Sequence, residues 1–295
     1  MARQPSSPAP RATDLALVSI AALAFATSSP LAKVAHGVSP FAIAAGRCAV
    51  GALVLLSLFP RATLSSLRAL APKHRLALPI AGLLLAGHLG LFTVGLVSTS
   101  LAAAVALVAL EPLAVVLAAW IAFGLRPTRG ETAGLVVASA GAMIVASAAG
   151  SGEHRLVGDL VVLAGVVFFG GYVAFARGLR DAMPVMPYAG SIYAVAALAL
   201  APLAIATQRT EAPLASWGAV AALGIVPTLI GHTLLQNVAR RVSPAIAGLV
   251  CPGETVGSIA IGALFLGTHP TAREAAGTAA VLAGATLAVV GVRKG

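Results

Sequence analysis

Gly124–Ala142 reads GLRPTRGETAGLVVASAGA, and Gly267–Ala285 reads GTHPTAREAAGTAAVLAGA. An offset of 143 residues lays Gly124 on Gly267, Pro127-Thr128 on Pro270-Thr271, Glu131 on Glu274, Gly134 on Gly277 and Ala140-Gly141-Ala142 on Ala283-Gly284-Ala285. The same register carries Ser100 onto Ser243 and Glu111 onto Glu254. One match would mean little in a chain so rich in Ala and Gly. Charged and proline positions agreeing in one ungapped register mark an internal repeat, and the chain divides into 1–150 and 151–295.

The composition says where such a chain lives. It is 59% hydrophobic and 9% charged, with mean hydropathy +0.98, against about 25% charged residues in a soluble domain. A helix needs about 20 residues to cross the hydrocarbon of a bilayer. Ten runs qualify, near 14–36, 39–60, 76–97, 100–123, 128–149, 157–177, 184–206, 215–239, 243–267 and 271–292. The expectation is an all-α integral membrane protein of ten transmembrane helices, five in each repeat. Five is odd, so the second repeat enters the membrane from the opposite side. The result is two inverted five-helix repeats, the plan of secondary transporters that bind substrate near the midplane.

The net charge of +10 fits orientation, not nucleic acid, because the basic residues are scattered between apolar runs without aromatic clusters. One set of alternate loops holds only Arg155, Arg209 and Arg273. The termini and the other loops hold the remaining Lys and Arg, apart from Lys33 and Arg47 inside spans 1 and 2. The positive-inside rule then puts both termini in the cytoplasm of a bacterial inner-membrane, multi-pass protein. Its expected partners are membrane lipid and a small-molecule substrate, an amino acid or related metabolite, and a monomer is the expected state. The N-terminal apolar run ends at Ala24-Phe25-Ala26, which resembles a signal-peptide cleavage site. The repeat needs that span, so it is expected to be retained.

Cys48 and Cys251 lie within spans and have no metal-ligand or disulfide spacing. No HExxH, GxSxG or Walker pattern occurs. The expectation is a protein that is not an enzyme and needs no cofactor or metal.

Several features together resemble the EamA branch of the drug/metabolite transporter superfamily, and within it the YddG-like amino-acid exporters. They are Ser29-Pro30 with Lys33, Ser39-Pro40 followed by Arg47, Val105–Val115 with Glu111-Pro112, Gly124 through Thr128, and Ser243-Pro244 opening span 9. Leu125 and Thr268 stand where the family usually carries an acid, and Pro252 precedes Glu254 instead of following it. The resemblance implies a ten-helix fold with cytoplasmic termini and a central cavity lined by spans 1, 3, 4, 6, 8 and 9.

Candidate substrate contacts follow from polar groups at mid-depth. Thr228, His232 and Gln236 recur at four-residue steps on span 8, with Asn237 beside them. Such a stripe faces the bundle interior, either bracing helices or touching substrate. Gly87-His88 in span 3 echoes Gly231-His232, which would bring one imidazole from each repeat near the axis, and Phe92 shares that span. On span 6, Phe168 and Tyr172 stand one turn apart and offer either packing or an apolar wall with one hydroxyl. Lys33 and Arg47 read as snorkelling or bracing cations, or as a gate. The span ends suit Trp120, Trp217 and Tyr188 as interfacial anchors. Pro30 should interrupt span 1 near Thr27-Ser28-Ser29.

Glu111 and Glu254 complete the set. A carboxylate inside a span costs about 2.5–3.5 kcal/mol on insertion scales, so it should face protein or water. It could brace spans 4 and 9, couple protons as its surroundings alternate between wet and dry, or hold a substrate ammonium. The function expected is a secondary transporter exporting amino acids by alternating access. The alternatives are a broad drug or nucleoside/sugar exporter and, in another class, a membrane scaffold or intramembrane enzyme.

Overall fold

The computed structural model describes residues 10–99, 104, 107–147, 156–179, 181–209, 211–266 and 271–293. Ser100, Gly267 through Pro270, and the side chains of Lys33 and Glu274 lie outside the described residues. Among the described residues the regular structure is helical throughout. The elements are α1 Ala12–Ala26, α2 Ser28–Val34, α3 Pro40–Leu58, α4 Pro60–Ala69, α5 Pro72–Arg75, α6 Ala77–Ser98 and α7 Glu111–Phe123. They continue with α8 Arg129–Ala146, α9 Leu156–Gly178, α10 Val185–Thr207, α11 Leu214–Ala239, α12 Pro244–Gly248, α13 Val250–Leu266 and α14 Ala272–Arg293.

Every expected window holds a helix. Among the described residues, six are long and apolar enough to cross a bilayer: Ala12–Ala32, Pro40–Leu58, Pro72–Ser98, Leu156–Gly178, Val185–Thr207 and Leu214–Ala239. The other four windows hold shorter, broken or less apolar helices.

Short sequence signals explain the ends. Ser39 and Ser243 each cap a helix whose first residue is proline, accepting from Ala42 N at 3.2 Å and Ile246 N at 3.3 Å. Proline fits there because a first-turn amide has no helical partner anyway. Thr128 and Glu131 form a reciprocal capping box, with Thr128 N donating to Glu131 Oε2 (2.8 Å) and Glu131 N to Thr128 Oγ1 (3.1 Å). The Pro-Thr-x-x-Glu shared by both repeats is therefore the start signal of α8. Gly124, at φ 67, ends α7 in the left-handed conformation.

Four features depart from the expectations or add to them. Glu111 opens α7 and is not a mid-helix residue; a turn at Ala109-Leu110 precedes it, and Pro112 sits harmlessly in the first turn. Its carboxylate thus faces the positive end of a helix dipole. Span 9 is likewise broken, at Leu249, and Pro252 falls in the first turn of α13 two residues before Glu254. The segment between spans 2 and 3 holds α4, whose Leu64 and Leu67 are exposed alongside Arg61 and Arg68, the pattern of a helix lying along an interface. Finally, Tyr188 is completely buried beneath Arg240 and is no interfacial anchor, whereas Trp120 and Trp217 are 45% and 40% exposed.

The repeat register reappears in space. A Cβ added to Gly134 would strike the backbone of Gly284 and Ala288, and one added to Gly141 would strike Gly277 and Val281. Gly277 and Gly284 are the repeat partners of Gly134 and Gly141, so α8 and α14 cross antiparallel with reciprocal contacts, as a local two-fold axis requires. Small residues allow this backbone approach, which is how membrane helices pack without a hydrophobic drive between them. α3 and α10, from equivalent places in the two repeats, also pack together, with Gly51 against the Tyr193 ring and Gly190 against Leu55 and Leu56.

Candidate substrate site

A narrow cavity of about 30 Å³ lies among helices drawn from both repeats. Its polar wall is Ser28, Arg47, His88, Glu111, His232 and Glu254; Phe25, Leu89, Phe92 and Val108 supply the apolar wall. Ser28 reaches it from the interruption expected in span 1, where Thr27 separates α1 from α2 and its hydroxyl turns back to the Ala24 carbonyl at 2.7 Å.

The two imidazoles sit at the centre. Their centroids are 6.0 Å apart, edge to face. Gly87 and Gly231, the residues before them, leave room for aromatic rings: a Cβ at Gly87 would collide with Phe168, and one at Gly231 with Phe25. Phe25 lies 4.6 Å from His232 between centroids, and Phe169 lies 4.8 Å from His88. His88 Nδ1 is 3.2 Å from the Gly165 carbonyl. A carbonyl only accepts, so Nδ1 carries the proton and donates it there. Glu111 Oε1 is 3.7 Å from the same nitrogen, beyond hydrogen-bond range, and Cys251 of the second repeat lies beside the Glu111 carboxyl.

Behind His232 runs a relay with a fixed direction. Gln236 Nε2 donates to the Tyr172 hydroxyl at 2.7 Å, leaving that hydroxyl to donate to His232 Nδ1 at 3.3 Å. His232 therefore presents its Nε2–H. Tyr193 donates to the Thr228 carbonyl at 2.9 Å and lies 2.9 Å from Thr233 Oγ1. Tyr172, Tyr193 and Gln236 are fully buried and close one side of the site.

Arg47 owes its position to a proline. Gly224–His232 winds as a π-helix around Pro227. Pro227 has no N–H for the Leu223 carbonyl four residues earlier, and the Thr228 hydroxyl takes that carbonyl instead, at 2.8 Å. Thr228 Oγ1 then accepts from Arg47 Nε at 2.7 Å. A buried guanidinium from α3 is thereby tied to the wide turn of α11.

Of the residues expected at the site, His88, Phe92, Glu111, His232 and Glu254 line one cavity. Tyr172 and Gln236 form the layer behind it. Phe168 instead packs on Gly87, and its neighbour Phe169 meets His88. Asn237 lines a different cavity near Arg240, because the step from Gln236 turns it onto another face. Span 2 contributes Arg47 in place of the expected contribution from span 6. Arg47 was legible as an intramembrane cation, and reading it as a snorkelling side chain misses its 3% exposure. Among the described residues no group of three His, Cys, Asp or Glu side chains could hold a metal ion.

The EamA-like transporter family matches residues 13–147 and again residues 156–290. The chain belongs to the EamA-like transporter family. The second match begins and ends 143 residues after the first, at 156 against 13 and at 290 against 147, the offset seen in the sequence. Like other EamA-like proteins it is a multi-pass membrane transporter of small molecules. Among the solved structures that match it, one crystal structure has a TM-score of 0.82 at 24% identity, over 97% of this chain and 99% of its own; that likeness concerns the fold. No curated protein matches the chain in sequence.

Proposed function

We propose that the protein is a secondary transporter exporting amino acids across the bacterial inner membrane by alternating access, with ten spans, cytoplasmic termini and the boundary between inverted repeats near residue 150. The observation carrying this reading is that Arg47 and two carboxylates, Glu111 and Glu254, face one cavity. A zwitterion needs both signs within its own length: a guanidinium for its carboxylate and an acid for its ammonium. Phe25, Phe92 and Leu89 offer an apolar wall for its side chain. The fully buried layer of Tyr172, Tyr193 and Gln236 closes the site on one side, and alternation requires that layer to part.

A second reading, export of a nucleoside or another flat metabolite, draws on the ring-lined wall of Phe25, His232, His88 and Phe92. Proteoliposome counterflow decides between them. Protein loaded with unlabelled amino acid should accumulate labelled amino acid transiently, and nucleosides should not compete. Absence of counterflow with every amino acid, alongside nucleoside counterflow, selects the second reading.

A further inference from the structure

A second cavity, open and of about 570 Å³, lies at the end of the bundle where α1 begins and α11 ends. Four guanidinium groups line it, from Arg11, Arg177, Arg240 and Arg241, against two carboxylates, Asp14 and Asp181. Arg241 is paired with Asp14 at 3.2 Å, and Arg177 Nη1 donates to the Val242 carbonyl at 2.5 Å. Arg240 differs from both. It is 7% exposed, lies over the Tyr188 ring at 4.6 Å, and spends Nη1 on the Met183 carbonyl at 2.7 Å. Its Nε and Nη2 are buried with no hydrogen-bond partner, as is the Tyr188 hydroxyl.

Nε and Nη2 form one edge of the guanidinium, the edge that forks two oxygens of a carboxylate or phosphate. A buried charge with that edge unpaired is costly unless a ligand completes it. The cavity's excess of positive charge selects an anion, and Arg11 adds a second guanidinium on its wall. Basic pockets between membrane helices are suited to phosphate headgroups.

We propose that this cavity is a phosphate-binding site, with the Arg240 edge gripping two phosphate oxygens and Arg11 supplying charge at the mouth. The phosphate belongs to an anionic phospholipid headgroup or to a soluble phosphate. The site is separate from the central cavity and stands whether or not the substrate is an amino acid.

The test uses the full chain in detergent micelles, titrated separately with inorganic phosphate, phosphatidylglycerol and phosphatidylcholine, with adducts counted by native mass spectrometry. One saturable adduct is expected with phosphate or phosphatidylglycerol and none with phosphatidylcholine. Arg240→Lys keeps the charge and loses the fork, so affinity should fall at least tenfold. Arg11→Gln, at an exposed position ahead of α1, should weaken binding severalfold, and Arg61→Gln on α4 should change nothing. An adduct with phosphatidylglycerol alone assigns the site to lipid; one with inorganic phosphate as well assigns it to soluble phosphates. Equal affinity in Arg240→Lys and Arg11→Gln, or no saturable adduct with either phosphate probe, overturns the proposal. Binding is read without flux, so its failure is distinct from failure of amino-acid export.

Discussion

His88 and His232 meet edge to face, 6.0 Å between ring centroids, each in a Gly-His pair and each from a different repeat. Both rings line the cavity that Arg47 and the two carboxylates share. His88→Ala and His232→Ala should each raise the half-saturating substrate concentration about tenfold, which corresponds to about 1.4 kcal/mol. Inhibition of counterflow by unlabelled substrate measures this. Unaltered affinity in both variants would make the pair a packing contact.

Glu111 stands at the start of α7, beside His88 and the Cys251 thiol. If its carboxyl carries the coupling proton, Glu111→Gln should remove the response of flux to an imposed pH gradient while substrate still competes for binding. A pH response equal to that of the parent protein returns Glu111 to a bracing role at the helix break.

Thr228 accepts from Arg47 and donates to the Leu223 carbonyl, which Pro227 has no N–H to serve. Thr228→Val keeps the shape and strips both bonds, leaving a buried guanidinium short of one acceptor. The expected loss is about 1.5–3 kcal/mol, the usual range for a hydrogen bond to a charged group. Thermal melting in detergent should show a lowered midpoint, and Thr228→Ser, which restores the hydroxyl, should recover most of it.

Gly134→Ala and Gly284→Ala each press a methyl against backbone that has no rotamer to yield. Each should destabilise by about 1–3 kcal/mol through overpacking. Gly218, on the exposed face of α11, has nothing within 4 Å of a built Cβ, so Gly218→Ala should leave the midpoint unchanged or raise it slightly. Equal melting of all three variants would show that the α8–α14 seam tolerates separation.

The repeat was legible because its determinants are local and recur in one register: glycines spaced seven apart, a proline-threonine pair and a glutamate in each half. The histidine pair was legible for the same reason, through the repeated Gly-His. What escaped the sequence depended on rotation about a helix axis. Phe168 and Phe169 are indistinguishable as letters, and only the packing of α9 on α6 turns Phe169 to His88 and Phe168 to Gly87. Asn237 was misplaced by the same uncertainty. Pro227 was visible, but the π-turn it induces, and the anchoring of Arg47 to that turn, needed the position of α3.

The α8–α14 crossing reads the same from either helix: Gly134 finds Gly284 as Gly141 finds Gly277. A surface of that kind is self-complementary, so either helix meeting an antiparallel copy of itself would form a similar joint. The polypeptide has kept, inside one chain, the handshake of a dimer. Separation into two genes need not destroy the joint, whereas a substitution on one helix alone makes it lopsided.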